Sequence, residues 1–366
     1  MVLDDEPFML KMMGRILSGL GYADVVFHER AAEALLAYDM PDCVPNVILL
    51  SGMEELLLRA AEKLARAHNI SVVGVLSKPA LPVELAALLA KCTATVIRQP
   101  QVVHKTYEAD EVRAAIENGE LVNYYQPKVF VDSGELAGVE TLVRWQHPTD
   151  GLVLPEHFIP VAEVNGLITD LTHVVLGNAL RQARLWRDAG MPLRVAINVS
   201  MDDLADVGFT DSVLASLEAA GVEPELLELE VTETRLMGTM TSVLDVLARL
   251  RLNRIRLSID DFGTGNSSLV QLRDLPFDEL KVDRSFTHNA RHDARLKAIF
   301  EASLDLANYL DMELVAEGVE DADDWAFMQA TGCHIAQGYY IAHPMPGERL
   351  DDWFGEWLAR VAGLIR

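Results

Sequence analysis

Two adjacent aspartates, Asp260 and Asp261, directly follow a short apolar run and precede a loop that contains Gly263 and Gly265. Side chains on a regular strand alternate between its two faces, so neighbouring aspartates can serve one ligand only if the strand ends there. Glycine permits such a change of chain direction because it lacks a Cβ atom. Two carboxylates at a strand end could each hold a divalent cation, and two cations in one site can cleave a phosphodiester. The alternative is an acidic turn after a buried strand.

Other apolar runs in the C-terminal part of the chain also end in polar side chains that can bind a metal or activate water. These side chains are Glu140, Asn198, Glu230, Glu233, Lys281, Asp283, Glu317 and Gln337. A single buried carboxylate is commonly paired within a core, whereas a series of them requires compensation because uncompensated buried anions are unfavourable. Divalent cations would supply it, and the oxygen-rich set of ligands favours magnesium or manganese over zinc.

The elements that must position these side chains are strands that alternate with amphipathic helices from residue 108 onward. The periodicity predicts helices over 109–118, ended by Gly119, and over 171–189, ended by Gly190. A turn at 132–134 joins the first two strand-like runs, which predicts an antiparallel hairpin. About eight strands with helices between them predict a (β/α)8 barrel, in which the carboxyl ends of the strands converge on one site.

The first 98 residues predict a separate, smaller α/β domain. A short apolar run before Asp4 and longer ones at 47–50 and 72–76 indicate strands, and helical periodicity covers 8–20, 54–68 and 82–91. Such alternation predicts a parallel sheet. Residues 99–107 lack periodicity and contain Pro100, so they are the predicted linker to a barrel domain that covers residues 108–366.

The composition restricts the possible partners and location. The chain has 31 basic and 56 acidic residues, a formal charge of −25, which argues against a polynucleotide partner because phosphate backbones require basic surfaces. A small anionic ligand remains possible if metal ions neutralise it. Cys43, Cys92 and Cys333 match neither a disulfide framework nor a zinc pattern. With no apolar run long enough to span a bilayer, we expect no membrane association and a cytoplasmic location.

The N-terminal domain resembles a response-regulator receiver domain, which is a flavodoxin-like, three-layer α/β fold. Asp4 and Asp5 match the acidic metal pair of a receiver, Ser51 its hydroxyl switch residue, and Lys78 the lysine of its Lys-Pro pair. The stretch between Asp5 and Ser51 is too short for a complete receiver, and Asp39 has the wrong spacing for a phosphoacceptor. The resemblance implies a shortened receiver that lacks part of its core, packs or contributes to dimer contacts, and is not phosphorylated by a sensor kinase.

The C-terminal domain resembles an EAL domain over residues 108–366. The matching motifs, in order, are Glu140-Thr-Leu-Val-Arg-Trp145, Asn198, Glu230-Val-Thr-Glu233, Asp260-Asp-Phe-Gly-Thr-Gly-Asn-Ser-Ser-Leu269, Lys281-Val-Asp283, Ala316-Glu-Gly-Val-Glu320 and Gln337-Gly-Tyr339. EAL domains are bacterial signalling enzymes, built on a modified TIM barrel whose first two strands are antiparallel. The resemblance implies a homodimer that hydrolyses cyclic di-GMP to linear pGpG with two divalent cations, Mg²⁺ or Mn²⁺, and so lowers the level of this second messenger.

The resemblance also implies a role for each matched residue. The metal ligands would be Glu140, Asn198, Glu230, Asp260 and Asp261, with Asp260 bridging the two ions. The catalytic residues would be Lys281, which holds the attacking water, Glu317, which orients the water or accepts its proton, and Gln337, which supports the ligand shell together with the metal ligand Glu140. The dinucleotide would contact Gln126, Leu142 and Arg144, and Glu233 would anchor the glycine-rich loop.

Two residues depart from the family pattern, because Thr141 stands where alanine is usual and Asn266 replaces an aromatic residue. Thr141 should face away from Glu140 on the strand, so we expect little effect on metal binding. Three other functions remain open: a catalytically silent effector that binds cyclic di-GMP, a different metal-dependent barrel enzyme, and a scaffold. Silent members of the family generally lack a metal ligand, and this chain has each of them.

Overall fold

The computed structural model describes residues 2–3, 7–19, 27–28, 46–51, 71–77, 83, 85–86, 88–89, 107–232, 241–263, 272, 275–361 and 363. The chain divides into two compact units, Met1–Val103 and His104–Arg366. Several features named above lie outside the described residues. They are Asp4, Asp5, Asp39, Lys78, Glu233, Gly265, Asn266, the helix predicted over 54–68 and residues 99–106 of the linker.

The N-terminal unit contains parallel strand pairs and a helix. Its elements are β1 (Val2–Leu3), α1 (Pro7–Gly19), β2 (Phe27–His28), β3 (Asn46–Ser51) and β4 (Ser71–Ser77). Strand β1 pairs with β2 and β3 with β4, both in parallel. Met13 and Leu17 lie one helical turn apart on α1 and pack with Leu85 in a small buried cluster. The predicted helix near 8–20 and the three predicted strands are confirmed as α1, β1, β3 and β4, whereas the short strand β2 was not predicted.

In the described part of the C-terminal unit, ten strands form one continuous sheet. They are β5 (Leu121–Phe130), β6 (Leu136–His147), β7 (Gly151–Val153), β8 (Val195–Asn198), β9 (Leu227–Thr232), β10 (Arg256–Phe262), β11 (Glu279–Val282), β12 (Glu313–Ala316), β13 (Ile335–Ala336) and β14 (Met345–Pro346). Eight of them close a barrel in the order β5-β6-β8-β9-β10-β11-β12-β13, with β13 pairing back to β5. Strands β7 and β14 lie beside β6 and β5.

Strand β5 is antiparallel to both of its barrel neighbours, while the pairs from β6 to β13 are parallel. The turn predicted at 132–134 does join β5 to β6, and the Gly134 amide donates a hydrogen bond to the Phe130 carbonyl (2.8 Å). These pairings confirm the modified TIM barrel with an antiparallel first pair. We call the end of the barrel where the parallel strands finish the mouth.

Amphipathic helices surround the barrel. They are α2 (Ala109–Asn118), α3 (Ile159–Val164), α4 (Ile168–Asp188), α5 (Met201–Ala205), α6 (Phe209–Ala220), α7 (Thr241–Leu252), α8 (Arg284–Thr287), α9 (Ala294–Tyr309), α10 (Ala322–Thr331) and α11 (Leu350–Val361). Helix α2 ends at Gly119 as predicted, because glycine adopts the left-handed conformation there (φ 71°). Helix α4 begins three residues before its predicted start, since Ile168 extends the buried face of Leu171 and Val175. Among the helices described, the combination of length and apolarity needed to cross a bilayer does not occur.

The interior of the barrel is charged, although its outer layer is apolar. Alternate residues of a strand face the same side, so Glu228 and Glu230 of β9 both point inward and are fully buried. Glu279 and Lys281 of β11 do the same. The intervening Leu229 belongs to the core between the strands and the helices. Aliphatic side chains usually fill such barrels, so these charges need a separate explanation.

Candidate active site

The ammonium group of Lys281 lies among four carboxylates at the mouth. Its Nζ atom is 2.8 Å from Oε1 of Glu317 and 2.9 Å from Oδ1 of Asp260. It is also 2.9 Å from Oε2 of Glu230 and 3.8 Å from Oε1 of Glu140. Strands β6, β9, β10, β11 and the residue after β12 each contribute one of these side chains. The barrel therefore brings together groups that are far apart in the sequence.

The two adjacent aspartates reach this cluster through an unusual backbone conformation at Asp261. Strand β10 continues to Phe262, its register with β11 is irregular between Ile259 and Phe262, and Asp261 is left-handed (φ 57°). The strand therefore ends one residue later than predicted, whereas Gly263, which follows it, does adopt a positive φ (96°) as the predicted change of direction requires. Aspartate tolerates the left-handed conformation better than most residues. Oxygens of Asp260, Asp261 and Glu317 consequently lie within 4.8 Å of one another.

Amide groups hold the carboxylate of Glu140 on its other side. Gln337 donates a hydrogen bond from Nε2 to Oε2 of Glu140, and Asn198 donates one from Nδ2 to Oε1 (3.3 Å). Gln337 also donates to Oε1 of Gln126 (3.1 Å), whose own Nε2 donates to the Ala342 carbonyl (3.0 Å). Glu140 does not end its strand as expected. Strand β6 pairs with β8 only as far as Thr141, one residue after Glu140, and then continues to His147.

A cavity of about 250 Å³ opens at these residues. Its lining includes Gln126, Glu140, Leu142, Glu317 and Gln337, together with Arg284, Gly318, Glu320, Gly338 and Tyr339. Two of the three residues expected to contact a dinucleotide thus line the cavity. The third, Arg144, is half-buried over the ring of Tyr124 (5.7 Å), and burial lowers its pKa. Thr141 lines a different cavity, in agreement with its predicted orientation.

The cluster perturbs the ionisation of its own members. Burial raises the pKa of Glu317 to about 8, with Lys281 opposing this shift and the charges of Asp260 and Glu140 adding to it. Burial and the neighbouring charge of Asp260 raise the pKa of Asp261 to about 6. Burial opposes the charge of Lys281, but the surrounding carboxylates raise its pKa well above the usual range. The site therefore holds more negative charge than one ammonium group compensates.

The donor atoms present fit a divalent cation. Asp260, Asp261 and Glu317 form a group of carboxylates that could hold an ion, and Oε1 of Gln337 is buried without a hydrogen-bond partner. Carboxylate and amide oxygens are the ligands that hard cations such as Mg²⁺ prefer. A cation would also stabilise the ionised carboxylates whose pKa values the metal-free cluster raises.

The sequence analysis missed three charged residues deeper in the barrel, Lys128, Glu228 and Glu279. The Nζ atom of Lys128 lies 3.0 Å from Oε1 of Glu279 and also contacts Glu228. Each of the three lies two residues from a predicted site residue on the same strand. The period of two along a strand was the signal that could have identified them.

Comparison with known proteins finds a matching family and similar relatives. Residues 109–344 match the family described as EAL domain. The bifunctional diguanylate cyclase/cyclic di-GMP phosphodiesterase MucR of Pseudomonas aeruginosa is 43% identical over 241 residues, which are 66% of this chain and 35% of MucR. The cyclic di-GMP phosphodiesterase RocR of the same organism is 33% identical over 96% of this chain and 97% of its own length. The chain thus spans about a third of MucR but nearly all of RocR.

Solved structures show the same similarity. The PaMucR phosphodiesterase in complex with c-di-GMP aligns with a TM-score of 0.63 and 42% identity, covering 66% of this chain and 98% of that structure. An EAL domain protein of Listeria monocytogenes aligns with a TM-score of 0.61 and 27% identity, covering 68% of this chain and 98% of the other. Both alignments cover about two thirds of this chain.

Proposed function

The chain belongs to the EAL domain family, and from this premise we propose that it hydrolyses cyclic di-GMP to linear pGpG. Relatives with this named activity support the proposal, including one that is similar over nearly its whole length. The observation that carries it is the contact of the buried Lys281 ammonium with carboxylates from four other strands or strand ends. Such a concentration of acidic groups around one cation suits metal-assisted hydrolysis of a phosphodiester.

We assign the metal-holding role to Glu140, Asn198, Glu230, Asp260 and Asp261. Two divalent cations, Mg²⁺ or Mn²⁺, would supply neutralisation of the phosphodiester charge and a water molecule of lowered pKa. The amides of Gln337 and Asn198 keep the Glu140 carboxylate oriented from both of its oxygens. Such hydrogen bonds to a ligand raise metal affinity because they remove alternative orientations of the carboxylate.

Proton transfer would involve the contact between Lys281 and Glu317, whose charged atoms are 2.8 Å apart. The pKa of Glu317, raised to about 8, suits a group that accepts a proton near neutral pH. Lys281 has a raised pKa and stays protonated, so it can orient the attacking water by donating a hydrogen bond.

Substrate binding would use the cavity that Gln126 and Leu142 line, together with Arg144, which lies two residues from Leu142 on β6. A guanidinium group offers a planar pair of donors that matches a phosphate. The cavity holds about 250 Å³, and it lies next to Glu140 and Glu317. A phosphodiester bound there would lie next to the proposed metal-holding carboxylates.

Product analysis tests this function. The purified chain is incubated with cyclic di-GMP and Mn²⁺ or Mg²⁺, with and without a chelator, and the nucleotides are separated by chromatography. We expect pGpG to appear only when the metal is available. Saturable binding of cyclic di-GMP without pGpG would identify the catalytically silent effector instead. An unchanged melting temperature with Mn²⁺ and cyclic di-GMP would favour a scaffold, because ligands of the native state raise its stability.

The homodimer, the cytoplasmic location and the unphosphorylated N-terminal unit remain predictions. Sedimentation of the full chain over a range of concentrations measures the oligomeric state. Mass spectrometry after treatment with acetyl phosphate and Mg²⁺ tests phosphorylation, and a phosphoryl adduct on Asp39 would contradict the prediction.

A further inference from the structure

A second lysine, Lys128, lies below the mouth inside the barrel, among three glutamates of which only Glu230 has an assigned role. Its side chain is 1% exposed, and the glutamates around it are fully buried. Its Nζ atom contacts Oε1 of Glu228 and lies 3.0 Å from Oε1 of Glu279. It also lies 3.5 Å from Oε1 of Glu230. Lys128 is therefore the shared cation of three buried carboxylates.

The two carboxylate oxygens of Glu230 lie near different buried lysines. Its Oε2 atom is 2.9 Å from Nζ of Lys281, on the side of the mouth, and its Oε1 atom faces Lys128. Because each oxygen faces a different ammonium group, rotation of the carboxylate would break one contact or the other. Lys128 thus restrains a residue that we assign as a metal ligand.

The charges continue toward the opposite end of the barrel. Oε2 of Glu228 lies 3.2 Å from Nε of Arg256 and 3.6 Å from the guanidinium of Arg194. Both arginines also contact Oε2 of Glu313. We call the series from these arginines through Glu228 and Lys128 to Glu230 the ionic stack. It places alternating charges along the interior, from one end to the cluster at the mouth.

Stability alone is a weak reason for this arrangement. Buried ion pairs are often no more stabilising than apolar side chains of similar volume, because desolvation of the ions offsets their attraction. Glu279 is an imperfect partner, since its Oε1 accepts from Ser258 (3.0 Å) and Oε2 is buried without a hydrogen-bond partner. A role in fixing the orientation of Glu230 explains why a lysine occupies this position.

We propose that Lys128 is a positioning residue, which holds Oε1 of Glu230 so that Oε2 stays directed to the mouth. This inference rests on the proposed role of Glu230 as a metal ligand. Neither Lys128 nor its ion-pair partners line the cavity, so it would act on metal binding and on turnover and not on binding of the dinucleotide. Outer residues that orient a metal ligand typically change metal affinity or activity by 10- to 100-fold.

The test compares four full-length proteins: the wild type, Lys128→Met, Lys128→Met combined with Glu279→Gln, and the control Lys297→Met. Lys297 lies on α9, is half-exposed and pairs at the surface with Glu301. Mn²⁺ binding is measured by calorimetry and by the electron paramagnetic resonance spectrum, without dinucleotide. Melting temperature, kcat and KM are measured in parallel.

We expect Lys128→Met to weaken Mn²⁺ binding about tenfold or more, with a changed Mn²⁺ spectrum and a lower kcat at an unchanged KM. The double variant should recover melting temperature, since it removes the unpaired charge of Glu279, but it should not recover Mn²⁺ affinity. Recovery of both would show that Lys128 is only a countercharge and would overturn the proposal. So would wild-type Mn²⁺ binding in Lys128→Met, or failure of both variants to fold, which would assign Lys128 to the barrel as a whole. If the wild type itself bound no Mn²⁺, the proposed function would fail first.

Discussion

Replacing Asp260 by asparagine removes one negative charge from the mouth while keeping the shape of the side chain. The Oδ1 atom of Asp260 accepts a hydrogen bond from the Asp261 amide (2.9 Å), and an asparagine oxygen can accept the same bond. The left-handed backbone at Asp261 is therefore expected to persist. What is lost is the charge beside Lys281, whose Nζ lies 2.9 Å away, and beside the carboxylates within 4.8 Å.

The size of the effect follows from these separations. Unit charges about 4 Å apart interact by about 4 kcal/mol at an effective dielectric constant of about 20. Mn²⁺ carries two charges, so its interaction with one carboxylate at that separation is about 8 kcal/mol. Since about 1.4 kcal/mol corresponds to a tenfold change, the upper limit is a loss of about 10⁵- to 10⁶-fold in Mn²⁺ affinity. Relief of repulsion among the remaining carboxylates offsets part of this loss. We therefore expect Asp260→Asn to weaken Mn²⁺ binding at least about a hundredfold, with a similar decrease in kcat/KM.

Calorimetric titration with Mn²⁺ and chromatographic measurement of pGpG formation provide the two readouts. Asp305→Asn is the matched control, because Asp305 is exposed on α9 and belongs neither to the cavity lining nor to the carboxylate cluster at the mouth. The control should leave both quantities unchanged, and the metal-free melting temperature of Asp260→Asn should remain close to that of the wild type. Mn²⁺ affinity within about threefold of the wild type in Asp260→Asn would refute the assignment of Asp260 as a metal ligand.

Three further outcomes are expected. Mn²⁺ affinity and turnover should rise between about pH 6 and pH 8. The reason is that Asp261 and Glu317, with pKa values raised to about 6 and about 8, must lose protons before they can bind a cation or accept a proton. A flat pH profile of Mn²⁺ affinity by calorimetry would contradict this. Lys281→Met should lower kcat by about 10²- to 10⁴-fold. It should lower the melting temperature mainly without Mn²⁺, since a bound cation replaces the lost charge. Equal decreases in melting temperature with and without Mn²⁺ in calorimetric scans would contradict this. Gly338→Ala should destabilise the fold by about 1–3 kcal/mol in denaturant titrations, because a Cβ atom there would lie 2.3 Å from backbone atoms of Val319. The control Gly177→Ala on α4 should be neutral or stabilising, because a Cβ atom there meets nothing within 4 Å.

Local signals allowed much of the barrel to be predicted. Helix α2 was predicted with its observed ends, because Gly119 ends it by a conformation that depends on one residue. The hairpin between β5 and β6 was predicted from a turn of three residues, and the sheet confirms it. Helix α4 was predicted with a late start, since its first apolar residues precede the clearest part of the periodicity.

The details that escaped prediction depend on contacts between distant strands. The change of direction at the end of β10 begins at Asp261, within the irregular pairing with β11, and not only at Gly263 after the strand. Glu140 was expected to end a strand, yet β6 outlasts its parallel partner β8. Whether Lys128 meets Glu279 depends on their depth in the barrel, which the register of several strands determines together. None of these quantities can be read from one segment alone.

The reversed direction of β5 has a consequence for any attempt to redesign this barrel. Gln126 lies opposite Glu140, and Lys128 lies opposite Gly138, one step deeper. A slip of β5 by two residues would preserve which side chains face inward but would bring the lysine opposite Glu140 and add a positive charge next to the proposed catalytic carboxylates. The length of the connection between β5 and β6, at the far end of the barrel, therefore determines which β5 side chain lies opposite Glu140 and which charge it brings to the mouth. A longer connection that allowed this slip would change the charge at the mouth, although the altered residues lie at the other end of the barrel.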